Sequence, residues 1–397
     1  MSFNIALSGL YASSEEMSVI SNNISNANTP GFKGSRAEFG AVYNGKQPGG
    51  VQVTGITQNF DLNGTIQGTG RGLDMALSGT GFFVVEDSKG QVSFTRAGMF
   101  NTDLSGNIVD GVGSKLQGYG VDGNNTIQTG NITDLKIETS PIAAKESGSV
   151  GFTSNLDARS PVIDPLLTPF DPTDSSTYSH TYTTPVFDSL GNQHNVQQFF
   201  VKTGPNTWDV HATVNGSATP AASSTITFNA DGTLATGGSY NVPFNPIGAN
   251  PMNLSMDVAK LSQYASDFVV SESATDGYSS GEYTGVRVEP DGSVFASYSN
   301  GQSLLQGQVI LANFNSPQNL IKASNTAWQQ TFSSGAPLYG TAGTGVFSDI
   351  VSGAVESSNV DLTSELVGLM SVQRNYTANS KSLQSVDQLT NTLMQAI

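Results

Sequence analysis

Cysteine is absent from the 397-residue chain. That one absence excludes disulfides, thiolate catalysis and cysteine-ligated metals together, and it leaves the redox compartment open. Charge is scarce as well: Asp, Glu, Lys and Arg make up 12% of the residues, about half the usual share. Basic side chains are the scarcer kind, 16 against 32 acidic ones for a net charge of -16. No Lys/Arg patch is therefore at hand for the phosphates of a nucleic acid. No apolar run is long enough for a membrane-spanning helix. The first residues lack the basic region and continuous apolar stretch of a cleaved leader, so any export is expected to use a route that reads no such signal. The surface must be covered by Asn, Gln, Ser, Thr and Gly, which suits a secreted or self-packing protein.

What is present is apolar periodicity at both ends. Phe3, Leu10, Met17 and Ile24 recur every seven positions, and Ala6, Ser13, Ile20 and Ala27 fall between them. This alternating three-four spacing is that of a coiled-coil seam. At the other end the same spacing links Leu362, Leu369, Tyr376, Leu383, Thr390 and Ile397, with Val372, Val386 and Leu393 interleaved and Leu366 and Leu389 widening the stripe. The second helix is expected from about Asp361 to the last residues, roughly 50 Å at 1.5 Å per residue. The two termini could form an intramolecular hairpin. Ser13, Glu365 and Asn379, however, are poor core residues for a solitary two-helix coil, so the reading adopted is pairing of the ends plus packing against other copies.

Between the ends the texture changes to short strands and turns. The first helix should stop at Asn26–Pro30, where proline disfavours helix before it. Phe82–Val85 and Val92–Thr95 read as a hairpin closed by Asp87–Gly90, and Asn107–Val109 with Lys115–Tyr119 as another pair turning at Asp110-Gly111. Pro161–Pro172, with four prolines, reads as a loop or extended surface strand. Beyond it, Val186-Phe187, Val196–Val201, Trp208–Ala212, Ile226–Phe228 and Leu234 form an antiparallel strand domain inserted into the first. Val258–Phe268 carries a weak amphipathic pattern, read as a short helix or ordered loop. Val286–Val288 and Val294–Ala296 make a further hairpin, and Gln308–Phe314 is a strong strand candidate. The expected fold class is mixed and mainly β, with long coiled-coil-like terminal helices enclosing nested antiparallel β domains. The expected division is a helical core of 1–30 and 355–397, an inner β-rich domain of 31–145 and 275–354, and an inserted outer β domain of 146–274.

No catalytic, cofactor-binding or metal-ligating residue is assigned, and no cofactor is expected. Gly68–Gly72 is glycine-dense but lacks GxxxxGK[ST] and a following helix, so a turn beside a strand is the reading. His180, His194 and His211 stand in no ligand spacing. Asp103–Asn107 has a calcium-loop flavour without the terminal bidentate Glu, and reads as an Asx turn. Ser78–Gly81 has no His-Asp set beside it.

Several runs resemble one family. Ala6-Leu7-Ser8-Gly9-Leu10 is followed by Ile20–Ala27 and then Asn28-Thr29-Pro30-Gly31-Phe32-Lys33; near the end stand Glu356–Leu362, Met370, Gln373, Arg374, Tyr376 and Asn379-Ser380-Lys381. Gly81–Val85, Phe94–Phe100 and Leu116–Tyr119 add central matches. Together they resemble the bacterial flagellar axial proteins, the rod, hook and hook-associated family. The length, the insertion and Leu261–Ser266 are similar to the hook type, with a distal rod or hook-associated protein as the alternative. An extracellular adhesin with helical ends is the reading from a different class. The resemblance implies a structural subunit that self-assembles into a hollow flexible tube, a universal joint carrying torque from rod to filament in the extracellular hook. It also implies partners: the rod, the hook cap, the hook-associated junction proteins, and the type III export apparatus with its hook-length control protein. Leu366, Leu369, Tyr376 and Leu383, with Leu10, Met17 and Ile24, are the residues expected to anchor the tube.

Overall fold

The computed structural model describes residues 3–45, 47–123 and 125–395. Helix α1, Phe3–Ser25, and helix α2, Leu362–Gln395, stand at the two ends of a chain that is otherwise strands and turns. The start of α2 follows from its cap: the Asp361 carboxylate accepts from Ser364 N–H at 2.7 Å, satisfying one of the donors a helix leaves open at its first turn. The end of α1 is followed by a tight turn in which Asn26 N–H still bonds back to Asn22 O, with Pro30 beyond it.

The chain divides into two compact units, one of residues 1–139, 285–297 and 303–397, the other of residues 140–284 and 298–302. In the first, Ser303–Asn313 is the central strand of an antiparallel sheet, meeting Lys115–Val121 at Gln308 opposite Tyr119 and Phe82–Glu86 at Leu311 opposite Phe83. Phe82–Glu86 pairs in turn with Val92–Thr95, the expected hairpin. An aromatic cluster fixes one face. Phe60, Phe82, Phe94, Phe314 and Trp328 meet edge to face, Phe94 and Phe314 with centroids 4.8 Å apart, the arrangement that ring quadrupoles favour. The Trp328 indole donates to Gln58 Oε1 at 2.7 Å. A two-stranded ribbon, Ser35–Asn44 with Gln47–Gln58, belongs to no larger sheet. Such a ribbon is marginal alone; it lies on α1, where Ser8 Oγ accepts from Val51 N–H at 3.2 Å.

The second unit is a sandwich of two sheets. His180–Phe187, Gln193–Gly204, Thr207–Val214, Ala222–Phe228 and Leu234–Thr236 form an antiparallel meander. The facing sheet orders Ser239–Phe244, Met252–Asp257, Ser149–Asp157 and Ser262–Tyr264, with Val269–Thr275 also on Ser149–Asp157. Alternate residues of Ser149–Asp157 turn inward, so Val150, Phe152 and Leu156 pack against Phe200, Trp208, Val210 and Ile226 in one core. Two corrections arise here. Ser149–Asp157 runs parallel to Met252–Asp257 and to Ser262–Tyr264, so the inserted region is not wholly antiparallel. Of the two readings of Val258–Phe268 the helix falls and the ordered loop holds: Leu261 N–H bonds back to Val258 O in a turn that seats both side chains in the core, and Gln263 beyond it accepts from the buried Trp208 indole at 2.8 Å. The segment's apparent periodicity came from core contacts at uneven spacing. Pro161–Pro172 is a loop without strand.

One turn recurs. Asp87, Asp103, Asp110 and Asp188 each accept with one carboxylate oxygen from the N–H groups two and four residues on. Three residues after each stands a glycine with φ between 80° and 89°. The Asx acceptor and the left-handed glycine together set the reversal, and Asp103–Asn107 needs no cation to hold it.

Candidate assembly site: the helix pair and the junction of the chain ends

Helices α1 and α2 lie antiparallel in a single register. A Cβ on Gly9 would stand 2.6 Å from the Asn379 amide, Gly368 faces Ile20, and Asn23 Nδ2 donates to Glu365 Oε1 at 3.0 Å. Each step forward along α1 is matched by an equal step back along α2. Phe3 therefore falls level with Ser385, and α2 continues for about ten residues, roughly 15 Å, past the first described turn of α1.

The face that α1 turns to α2 is built from Ala6, Gly9, Ser13, Ile20 and Asn23, and α2 answers with Glu365, Gly368, Leu369, Val372 and Asn379. Small residues allow the backbones to approach, and the three residues that looked wrong for a core, Ser13, Glu365 and Asn379, lie in this contact. Of the proposed seam, Ala6, Ser13, Ile20 and Val372 are buried, whereas Leu10, Met17, Ile24, Leu369, Leu383 and Val386 are half-buried. Phe3, Leu362, Leu366, Tyr376, Leu389 and Thr390 are exposed. The seam is thus only half closed within the chain, because two helices have one mutual face and a seven-residue stripe this wide covers more than that. Ile397 and the Leu393 side chain lie outside the described residues.

Just beyond the helices the sequence signatures interlock. Gly31, at φ +71°, donates its N–H to Glu356 O at 2.7 Å, and a side chain there would meet the Arg96-Ala97 backbone. Lys33 is fully buried and donates from Nζ to Glu356 Oε1 at 2.7 Å, Leu62 O at 3.0 Å and Asn63 Oδ1 at 3.0 Å. Arg96 reaches the other oxygen of the same carboxylate at 3.0 Å and Gly79 O at 2.6 Å. Burial pushes the pKa of both cations down and the Glu356 carboxylate opposes that shift. One anion thus serves two buried cations, and carbonyl oxygens take up further donors, while Arg96 Nε is left without a partner among the described residues. Asn359 Oδ1 accepts from Gly34 N–H at 2.7 Å while its amide donates to Asn59 O and Leu62 O; Asn23 holds Ser35 by both N–H and C=O. The ends of the chain are tied by these groups, which sequence reasoning quoted as signatures without a physical role. It also missed the ribbon, whose sequence signal is Asn44-Gly45 at the tip.

The rejected sites behave as turns and core contacts. Thr69 and Gly70 donate to Gly353 O beside a strand. Ser78 Oγ donates to Asp349 O. His180 stacks on Phe268, His194 bonds Asp188, and His211 stacks on Phe170. Among the described residues no group of three or more His, Asp or Glu could hold a metal ion, and no helix is long and apolar enough to cross a membrane.

Four family models match successive stretches of the chain: "Flagella basal body rod protein" over residues 3–33, "Flagellar hook protein FlgE/F/G D1 domain" over 76–150, "Flagellar basal body protein FlaE D2 domain" over 155–278, and "Flagellar basal body rod FlgEFG protein C-terminal" over 351–396. The flagellar hook protein FlgE of Escherichia coli (strain K12) is 39% identical over 402 residues, covering 99% of both chains. The chain belongs to the flagellar hook protein family. Another relative in that family, from Rhizobium meliloti (strain 1021), is 33% identical over 98% of this chain and 97% of its own. The crystal structure of Helicobacter pylori flagellar hook protein FlgE2 shares the fold, with a TM-score of 0.55 and 14% identity over 72% of this chain and 98% of that one. As a hook protein the chain is a structural, axial subunit of the flexible hook tube.

Proposed function

We propose that the α1/α2 pair is the surface through which copies of this chain polymerise into the hook tube. One observation carries this reading: the pair closes on few large apolar residues beside small and polar ones, and leaves several large apolar ones bare. Leu362, Leu366, Val367 and Met370 on α2, with Tyr11 on α1, are each between 46% and 67% exposed. An apolar stripe of that size on a charge-poor surface marks a contact. Fully covering one such side chain stabilises by about 1.5–3 kcal/mol. Of the proposed anchors, Leu366 and Tyr376 are exposed, while Leu369, Leu383, Leu10, Met17 and Ile24 keep part of their surface for a neighbour. Heterologous contacts of this kind build an open helix when they do not close a ring.

The strand unit 140–284 would supply the weaker contacts that exchange as the tube bends, through hydroxyl and amide side chains that trade one hydrogen bond for another through water. In this reading the layers follow the helical core 1–30 and 355–397, the inner domain 31–145 and 275–354 and the outer domain 146–274. Export through the flagellar type III apparatus under its length-control protein, growth beneath a hook cap, and attachment to rod and junction proteins complete it. The test is Leu366→Asp in the full chain. Seeded assembly should be abolished while the circular dichroism of the strand units stays unchanged, and tubes formed in normal yield would refute the assignment.

A further inference from the structure

The charges of the helix pair are arranged by sign. Helix α1 carries Glu15 and Glu16 and no basic residue; α2 carries Arg374 and Lys381 on one face, with Glu365 already engaged by Asn23 and Asp387 off that face. Glu15, Arg374 and Lys381 are exposed, and none takes part in an ion pair among the described residues. In a chain with so few charges, the exposed Glu15, Arg374 and Lys381, unpaired like Glu16 and Asp387 among the described residues, need an account.

Their positions supply it. Tyr11 and Glu15 each stand two residues from Ser13, which is buried in the contact with α2; two residues are about 200° round a helix, so both lie on the side of α1 facing away from α2. Met370 and Arg374 stand in the same relation to Val372, which is buried toward α1, and Lys381 continues their face two turns on. The pair therefore shows an acidic edge on one side and a basic edge on the other. On α1 the edge borders a groove lined by Tyr11 and Glu15 with Val51 and Val53 of the ribbon, whereas Met370, Arg374, Thr377 and Lys381 form an open face of α2 alone.

We infer that the α2 edge of one copy docks in the α1–ribbon groove of the next, with Glu15 of one copy paired to Arg374 of its neighbour. The occupant is a second copy because the two edges are opposite in charge and lie on opposite sides of the same pair. Such a head-to-tail contact repeats without being used up. An ion pair desolvated between helices sets register and rejects wrong neighbours more than it adds affinity. This inference rests on the polymerisation reading above and adds the register of the contact.

Charge reversal in the full-length chain tests it, using sheared tubes as seeds. Glu15→Arg and Arg374→Glu should each raise the critical concentration for assembly at least tenfold with unchanged circular dichroism. The double variant Glu15→Arg/Arg374→Glu should return it to within about threefold of the unaltered chain. Single reversals that assemble normally, or a double reversal no better than either single, would overturn the pairing. Leu366→Asp, run in parallel, separates the two levels: if it blocks assembly while the reversals are silent, the helix surface stands and the Glu15–Arg374 register falls.

Discussion

The strand unit 140–284 and the helix pair handle apolar side chains in opposite ways. In the sandwich, Phe200, Trp208, Val210, Ile226 and Leu254 are wholly buried, and even the polar Gln198 and Gln263 are closed in with hydrogen-bonded partners. In the helix pair the enclosed positions include Ala6, Ser13 and Asn23 beside Val19, Ile20 and Val372, while Tyr11, Leu362, Leu366, Met370 and Tyr376 stay exposed. The sandwich is a finished object whose core would be no better in company. The pair keeps its best packing material for a contact the single chain cannot make, so stability and assembly are separable properties of one polypeptide.

That separation can be broken deliberately. The largest expected loss of stability comes from Trp208→Ala, at about 3–5 kcal/mol for the truncation, with more for leaving Gln263 Oε1 without its donor. Hydrogen exchange should accelerate across 140–284, while the critical concentration measured well below the unfolding temperature stays put. Glu356→Gln comes next. Removing the anion leaves Lys33 and Arg96 buried together, which costs about 3–5 kcal/mol, and the exchange increase should appear in the other unit, around residues 31–36 and 356–361. Here assembly should suffer too, because the junction orients the helices. The smallest effect is on pH. Burial raises the Asp188 pKa, but hydrogen bonds from Asn192, His194 and the backbone N–H groups outweigh it and hold the carboxyl at about 2, below its ordinary 3.8. A depressed carboxylate stabilises above its unfolded pKa and loses that contribution as pH falls through the folded one. Acid unfolding of unit 140–284 should therefore steepen between about pH 4 and pH 2, and Asp188→Asn should flatten that limb.

How much of this the sequence disclosed depends on the distance over which each signal acts. The start of α2 is legible because the cap at Asp361 is local, and the hairpins at 82–95 and 108–121 are legible because an Asp and a glycine three residues later set the turn. The parallel pairing of Ser149–Asp157 with Met252–Asp257 joins segments a hundred residues apart and has no local mark. The ion cluster at Glu356 draws on Lys33 and Arg96 from the far end of the chain. The heptads announced a seam but not its orientation, since spacing alone does not say which half of a wide stripe turns toward the partner helix. Only the smallness of Ala6, Gly9 and Ser13 hinted that close approach would be made there.

One consequence follows from the unequal lengths of the helices. Because α2 runs past α1, the two extremities of the pair are unlike: at one the strands grip both helices, at the other a lone stretch from Val386 to Gln395 stands uncovered by α1. Objects with dissimilar poles, when strung nose to tail, make a thread with a front and a back. Polarity of growth is thereby written into each bead before any cap or scaffold chooses an end.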